Sequence, residues 1–309
     1  MQAALDGYAV IWSVIAVGFV CGHFRVLNEK HRALLSNFAF LVASPCLLFS
    51  IMAKASLAHV FSSTLVVSIV AIVIAGGTYL LIARWLCRPD VGGGVIGTLC
   101  SAYTNAGNLG LPVAAYILGD MTWMAPIMLI QVGLLQPIAI AILDVVSTHG
   151  TKRRPWWYYA TLPFHNPITV GTLAGLLVNL VGVRLPDLLW RPIDMIGGAA
   201  VPVMLIAFGI SLRLDPPPGR GPHRRELLIS AVVKVLWHPL IAWVLAVFVA
   251  RLAPHDTLAV VVIAALPSAQ NIYMLASRYQ TRVLLARDAI FCSTLASVPS
   301  IMAVSALLG

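Results

Sequence analysis

Apolar residues in this chain come in long unbroken runs, not in stripes every third or fourth position or in alternation. A helix that is hydrophobic all round is either deeply buried or in lipid. A hydrocarbon core about 30 Å thick requires about 20 apolar residues per helix. Measured that way the chain holds ten segments, at about 7–24, 32–54, 58–84, 92–118, 123–146, 165–183, 188–212, 226–251, 256–280 and 284–308. The extended polar interruptions, 147–163 and 213–225, are too short for a second globular domain. The first segment follows Met1 to Asp6, a start without lysine or arginine, and no Ala-x-Ala site precedes the next loop, so it reads as a retained span.

Composition supports an integral membrane protein. The 309 residues are 60% hydrophobic and 10% charged, with a mean hydropathy of +0.92, whereas soluble domains are about a quarter charged. The net charge of +9 would suit nucleic acid, but the basic residues sit in short loops without interleaved aromatics. Topology explains them better. The loops after odd-numbered segments carry Arg25, Lys30, Arg32, Arg84, Arg88, Lys152, Arg153, Arg154, Arg213, Arg220, Arg224, Arg225, Arg278, Arg282 and Arg287. Those after even-numbered segments carry only Lys54, Arg184, Arg191 and Arg251. Positive-inside orientation then places both termini outside the cytoplasm. The run Trp156-Trp157-Tyr158-Tyr159 reads as an interfacial belt.

Five spans per half make the two halves inverted relative to one another. Residues 1–148 form a first five-helix repeat, 149–163 a cytoplasmic linker and 164–309 a second repeat. Internal echoes agree: Gly18-x-x-x-Gly22 recurs as Gly171-x-x-x-Gly175, and Ser44-Pro45-Cys-Leu-Leu-Phe recurs as Val201-Pro202-Val-Met-Leu. The strongest echo is a pair of interruptions in segments 4 and 9, Asn105-Ala-Gly-Asn108-Leu-Gly-Leu-Pro112 and Leu266-Pro267-Ser-Ala-Gln270-Asn271. Unpaired backbone in hydrocarbon costs several kcal/mol per group, so such breaks persist only around a protein-lined cavity. Matched breaks in two halves point to a carrier's binding site.

Each proline is expected at the first position of a second half-helix, where its missing N–H costs nothing. The two half-helix starts then bring positive dipole ends to mid-membrane, which favours an anion. Asn105, Asn108, Gln270 and Asn271 add neutral donors and acceptors, and Gly107 and Gly110 let backbone approach closely. An isolated intramembrane Asn more often bridges two helices; two matched, amide-lined breaks argue for a site. Gln131, in the middle of segment 5, either reaches that site or bonds a neighbouring helix. Lys234 and His238, one turn apart in segment 8, are candidates for coupling, with snorkelling or a carboxylate pair as the alternative. Asp144 and Asp288 lie near cytoplasmic ends and are candidates for coupling or for ordinary pairing. The five cysteines lack metal-ligand spacing and read as small buried hydrophobes. No catalytic motif is present, neither His-Glu-x-x-His nor Gly-x-Ser-x-Gly, which sets a membrane enzyme last. No cofactor or metal is expected.

These residues resemble the auxin efflux carrier family, which includes plant auxin exporters and bacterial permeases for malate- and malonate-like acids. The resemblance rests on Asn105-x-Gly-Asn108-x-Gly-x-Pro112, on Leu-Pro-Ser-Ala-x-Asn271 followed by Ala-x-x-Tyr279, on the Pro45 and Pro202 segments, and on Asn166-Pro167. It spans essentially the whole chain. It implies a sodium/proton-antiporter-like and bile-acid-symporter-like fold, all-α, with helices 4 and 9 crossing at their breaks. It further implies a scaffold of helices 1, 2, 6 and 7, often dimeric, and a mobile unit of helices 3, 4, 5, 8, 9 and 10 that moves as an elevator. Asn105 matches the crossover asparagine that meets the substrate carboxylate in plant members, and Gln131 and Asp144 match polar positions of the fifth helix. Segment 3 lacks the charged residues of plant exporters, and segment 9 has Gln270-Asn271 where they are more apolar, which favours the bacterial branch. The expected partners are therefore a small organic anion, the bilayer and a second copy of the chain. A sodium-coupled organic-anion symporter is the alternative within transport.

Overall fold

The structure, a computed structural model, describes residues 2–54, 62–110, 113–120, 123–148, 167–183 and 185–309. The expected linker 149–163, the aromatic run 156–159, Asn166, Arg184 and Pro112 fall outside them. Among the described residues the chain is helical apart from a single residue-to-residue β-bridge.

The helices in order are α1 (Gln2–His23), α2 (Glu29–Lys54), α3 (Ser63–Leu86), α4 (Val91–Ala102), α5 (Pro126–Ser147), α6 (Pro167–Val181), α7 (Asp187–Leu214), α8 (Arg224–Val249), α9 (Pro254–Ala265), α10 (Gln270–Arg278) and α11 (Val283–Leu308). Six of these, α2, α3, α5, α7, α8 and α11, are long and apolar enough to cross a membrane. α4 and α9 are half-length, and each stops where the sequence turns polar. Large apolar side chains face outward along whole helices, as with Val66, Val73, Leu81 and Trp85 on α3. Such a continuous apolar exterior is what a bilayer covers. The chain is a multi-pass membrane protein.

The helices pack in two groups. In the first, α1 lies on α7, α6 lies on α2, and α2 and α7 touch each other. Small residues set these contacts. A side chain at Gly18 would collide with the Ile206 carbonyl, and one at Gly209 with the Ile15 carbonyl, so α1 and α7 meet backbone to backbone. Gly171 and Gly175 bring α6 equally close to the Pro45 and Phe49 carbonyls of α2. Close approach of this kind drives helix association in lipid, where apolar burial supplies no net force between helices. Polar clasps hold α2 to α7 at both ends. Arg32 Nη1 donates to Asp215 Oδ2 at 2.7 Å, while Lys54 and the Ser50 hydroxyl donate to Asp194 at 2.8 and 2.7 Å.

The second group gathers α3, α4, α5, α8, α9, α10 and α11. Arg282 ties three of its helix starts together, donating to Asp90 before α4 at 2.9 Å and to Glu226 of α8 at 3.1 Å. The two groups meet where α10 packs against α2 and α7.

Glycine contacts of the first group give a direct stability test. Gly209→Val forces backbone apart and should cost about 1–3 kcal/mol, the usual range for overpacking. Gly77→Ala on α3, where an added methyl would meet nothing within 4 Å, should leave stability unchanged or slightly raised. Thermal unfolding of the purified variants in nanodiscs measures the difference; equal melting would contradict this packing.

Candidate functional site

The breaks form where helical backbone geometry fails. α4 ends at Ala102 because Tyr103 is extended (φ −84°, ψ 117°). α9 ends at Ala265 because Leu266 is extended (φ −58°, ψ 147°), as the residue before a proline prefers to be. The two extended pieces then cross antiparallel, pairing Thr104 with Ser268. The Asn105 N–H donates to the Pro267 carbonyl at 2.8 Å. Each break thus satisfies backbone groups of the other, where neither could turn to water.

Side chains complete the pairing. The Ser268 hydroxyl donates to the Cys100 carbonyl at 2.6 Å, and the Ser268 N–H donates to the Ser293 hydroxyl of α11 at 3.1 Å. The Gln131 carboxamide, oriented so that donors meet acceptors, donates to the Thr104 carbonyl at 2.8 Å and accepts from the Thr104 N–H at 3.1 Å. Its oxygen also accepts from the Thr104 hydroxyl. Gln131 therefore acts as a third strand one residue long. Gly110 is needed for closeness, because a Cβ there would sit 2.8 Å from the Met124 sulfur and 3.1 Å from Leu266 Cδ1. Gly107 is not, since its nearest neighbour would be Met128 Cε at 3.6 Å.

The position of Pro267 differs from expectation. Pro267 is not the first residue of a half-helix; α10 begins three residues later, at Gln270. It lies in the extended crossing piece, where it ends α9 and offers its carbonyl to Asn105. The chain after the other break likewise resumes a helical turn at Ala106, ahead of Pro112. Asn108 belongs to the turn 106–110.

Beside the crossing lies a cavity of about 110 Å³, space for several waters by the same measure. One wall is polar, made by Tyr103, Asn105, Gln131, Gln136, Gln270 and Asn271; the other is apolar, made chiefly by Leu47, Leu48 and Ile51 of α2 and Val201 and Met204 of α7. None of the lining side chains carries a formal charge. The Asn105 amide donates to Gln270 Oε1 at 2.8 Å. The Asn271 amide donates to the Tyr103 hydroxyl at 3.1 Å and to Gln136 Oε1 at 3.2 Å, and the Tyr103 hydroxyl donates to Gln136 Oε1 at 3.1 Å. Gln270 and Asn271 open α10, so its N-terminal dipole end also faces the cavity. The cavity sits on the seam between the two helix groups.

Tyr103 and Gln136 were not legible from sequence. In an ordinary α-helix, positions 131 and 136 point about 140° apart. Here residues 131–135 form a π-turn in which the Gln136 N–H donates to the Gln131 carbonyl, and both side chains reach the cavity. Single π-turns of this kind recur at functional sites.

The remaining candidates fall elsewhere. Asp144 accepts from the Tyr279 hydroxyl at 2.6 Å, joining α5 to α10. Asp288 pairs with the fully buried Arg287 and accepts from the Gly219 N–H at 2.9 Å. Arg287 in turn donates to the Ser211 and Pro216 carbonyls at 3.3 and 2.7 Å. Both carboxylates are thus held by partners on neighbouring segments. Lys234 and His238 are buried in α8 outside the cavity lining. Among the described residues no three His, Cys, Asp or Glu side chains gather as a metal site, and the five cysteines are free.

A membrane-embedded cavity built on two interrupted helices belongs to the transporters as a class. The chain is a member of the membrane transport protein family, the auxin efflux carrier type, whose model matches residues 7–149 and 160–304. It is 24% identical over 302 residues to a Rhizobium meliloti (strain 1021) protein named "Putative malonate transporter", covering 94% of this chain and 91% of that one. An uncharacterized transporter of Methanocaldococcus jannaschii is 22% identical over 303 residues, covering 94% of each. Family and relatives are transporters, not enzymes.

Gln131→Leu removes both partners of the Thr104 backbone. It should destabilise by about 1–3 kcal/mol for each buried group left unpaired. Thermal unfolding of the purified variant measures this; melting at the wild-type temperature would contradict the pairing.

Proposed function

We propose that the chain is a secondary carrier for a small organic anion, bound through its carboxylate at the crossing of the two breaks. The observation that carries this reading is the cavity itself: two interrupted helices paired to each other, with amides and a helix N-terminus turned into a space free of formal charge. A neutral, donor-rich cavity can hold an anion and still release it, which transport demands. The apolar wall from α2 and α7 suits the carbon skeleton. The name of the Rhizobium relative brings malonate forward as the first acid to try.

The fold supports ten spans in two inverted five-helix repeats, 1–148 and 164–309. The first helix of each half packs through glycines on the second helix of the other half, α1 on α7 and α6 on α2. The breaks in α4 and α9 answer one another in the same way. The group α1, α2, α6 and α7 is the scaffold, a homodimer forming through it, and the remaining helices are the moving unit. A cavity on the seam between them changes sides when one group slides along the other, an elevator. The substrate site comprises Asn105, Asn108, Pro112, Gln131, Pro267, Gln270 and Asn271, with Gly110 letting the backbone pack closely.

Purified protein in liposomes should take up malonate, malate or indole-3-acetate saturably. Asn105→Ala and Asn271→Ala should each reduce uptake at least tenfold. Normal transport by both variants would overturn the site. Uptake that requires a sodium gradient would assign the symporter mechanism instead of a sodium-independent one. Basic loops on one side place both termini outside the cytoplasm. Alkaline phosphatase fused after Gly309 should be active, and fused after Gly219 inactive; the reverse would invert the topology.

A further inference from the structure

Of the four lysines in the sequence, Lys234 lies inside the bundle at 1% exposure. Among the described residues no carboxylate forms an ion pair with it. Its Nζ donates to the Ala264 carbonyl at 3.1 Å and meets His238 Nδ1 at 3.2 Å. Ala264 stands in the last turn of α9, whose carbonyls a helix leaves without partners of its own. An ammonium there also faces the negative end of the half-helix dipole. The end of α4 is treated differently, since its Cys100 carbonyl takes the neutral Ser268 hydroxyl. Among the described residues a titratable amine therefore meets a helix end on one side of the crossing only. The Ala264 carbonyl that accepts from it stands five residues before Ala269, which lines the cavity beside Gln270 and Asn271.

We propose that Lys234 is the counter-charge of the anion cavity, and that Lys234 and His238 together bind a single proton whose occupancy is linked to that of the anion. The proposal rests on the carrier reading above. The pair holds one proton because two would place like charges 3.2 Å apart in a water-poor site. With the proton present, the neutral amide wall is backed by a unit positive charge. With it gone, dipoles alone face the anion. Linkage is reciprocal, so anion binding draws a proton from solution onto the pair, and only an N–H bond is made. The other titratable groups on the packed elements are Tyr79 of α3, Cys100 of α4, and Cys292, Arg287 and Asp288 of α11. Glu226, earlier on α8, is held by Arg282, Arg287 and Asp288 hold each other, and His255 and Asp256 lie at the far end of α9.

The test is the affinity of nanodisc-embedded protein for malonate, malate and indole-3-acetate by calorimetry from about pH 6 to about pH 10. The span begins below the ordinary histidine value because burial disfavours a charged pair, and the carboxylates stay largely ionised across it. Wild-type affinity should fall about tenfold as pH rises, the scale of one unit charge acting through a protein interior. Two buffers of different ionisation heat should register proton uptake on binding. Lys234→Gln should bind about tenfold more weakly than wild type at pH 7, with no pH step. Lys234→Arg, whose guanidinium stays charged, should bind as wild type does at pH 7 and lose the step. A Lys234→Gln protein that melts early but keeps wild-type affinity and pH profile would make the lysine a helix cap only and overturn the proposal. If Asn105→Ala abolishes binding while the Lys234 variants behave as wild type, this inference falls and the carrier reading stands. If wild type binds none of the three acids, both fall.

Discussion

Backbone polar groups have no water to turn to inside a bilayer, and the rest of this molecule follows from how it meets that constraint. Two helices stop near the middle of the protein, and the segments that leave them pair with one another. Thr104 opposite Ser268, and Asn105 bonded to Pro267, form the smallest possible piece of sheet. Gln131 extends it by one side chain. Without that mutual pairing, each break would leave several buried groups unsatisfied, and a continuous helix would be the better structure. With it, the interruption becomes tolerable and a polar surface exists in mid-bundle.

Placement of that surface gives it meaning. The pairing joins helices of one group, so the crossing belongs to that group. The opposing wall of the cavity comes from α2 and α7, whose own group is knit by glycine contacts and clasped at both ends by Arg32–Asp215 and Lys54–Asp194. Glycine-to-carbonyl packing holds the first group backbone to backbone, while larger apolar side chains such as Leu48, Met204 and Met274 line the cavity at the seam.

Much of this was legible in the sequence, for identifiable reasons. Long apolar runs have one explanation, and prolines with amides inside such runs have few. Asn105, Gln270, Asn271 and Gln131 were readable because polarity in hydrocarbon is conspicuous. Pro267 was readable as a breaker but not in its role. The rule that proline opens a helix describes helices that resume at once, whereas here an extended crossing piece intervenes before Gln270. Gln136 and Tyr103 were hidden, since a π-turn shifts the helical period and an aromatic in an apolar run looks like any other core residue. Asp144, Asp288 and Lys234 were visible as ionisable groups, but their partners were not. Tyr279 and Arg287 reach the two carboxylates only through tertiary packing, and Lys234 answers a backbone carbonyl of another helix. Sequence patterns register side chains, and a carbonyl left bare by a helix end has no letter.

Anion binding at the paired breaks is the proposal on which the transport reading turns. The most direct measurement is an experimental structure of the protein in nanodiscs with a heavy-atom-labelled carboxylate. Carboxylate density should then lie against Asn105, Gln270 and Asn271, between the crossing and the α2–α7 wall. Density seated elsewhere, with water alone at the crossing, would contradict it.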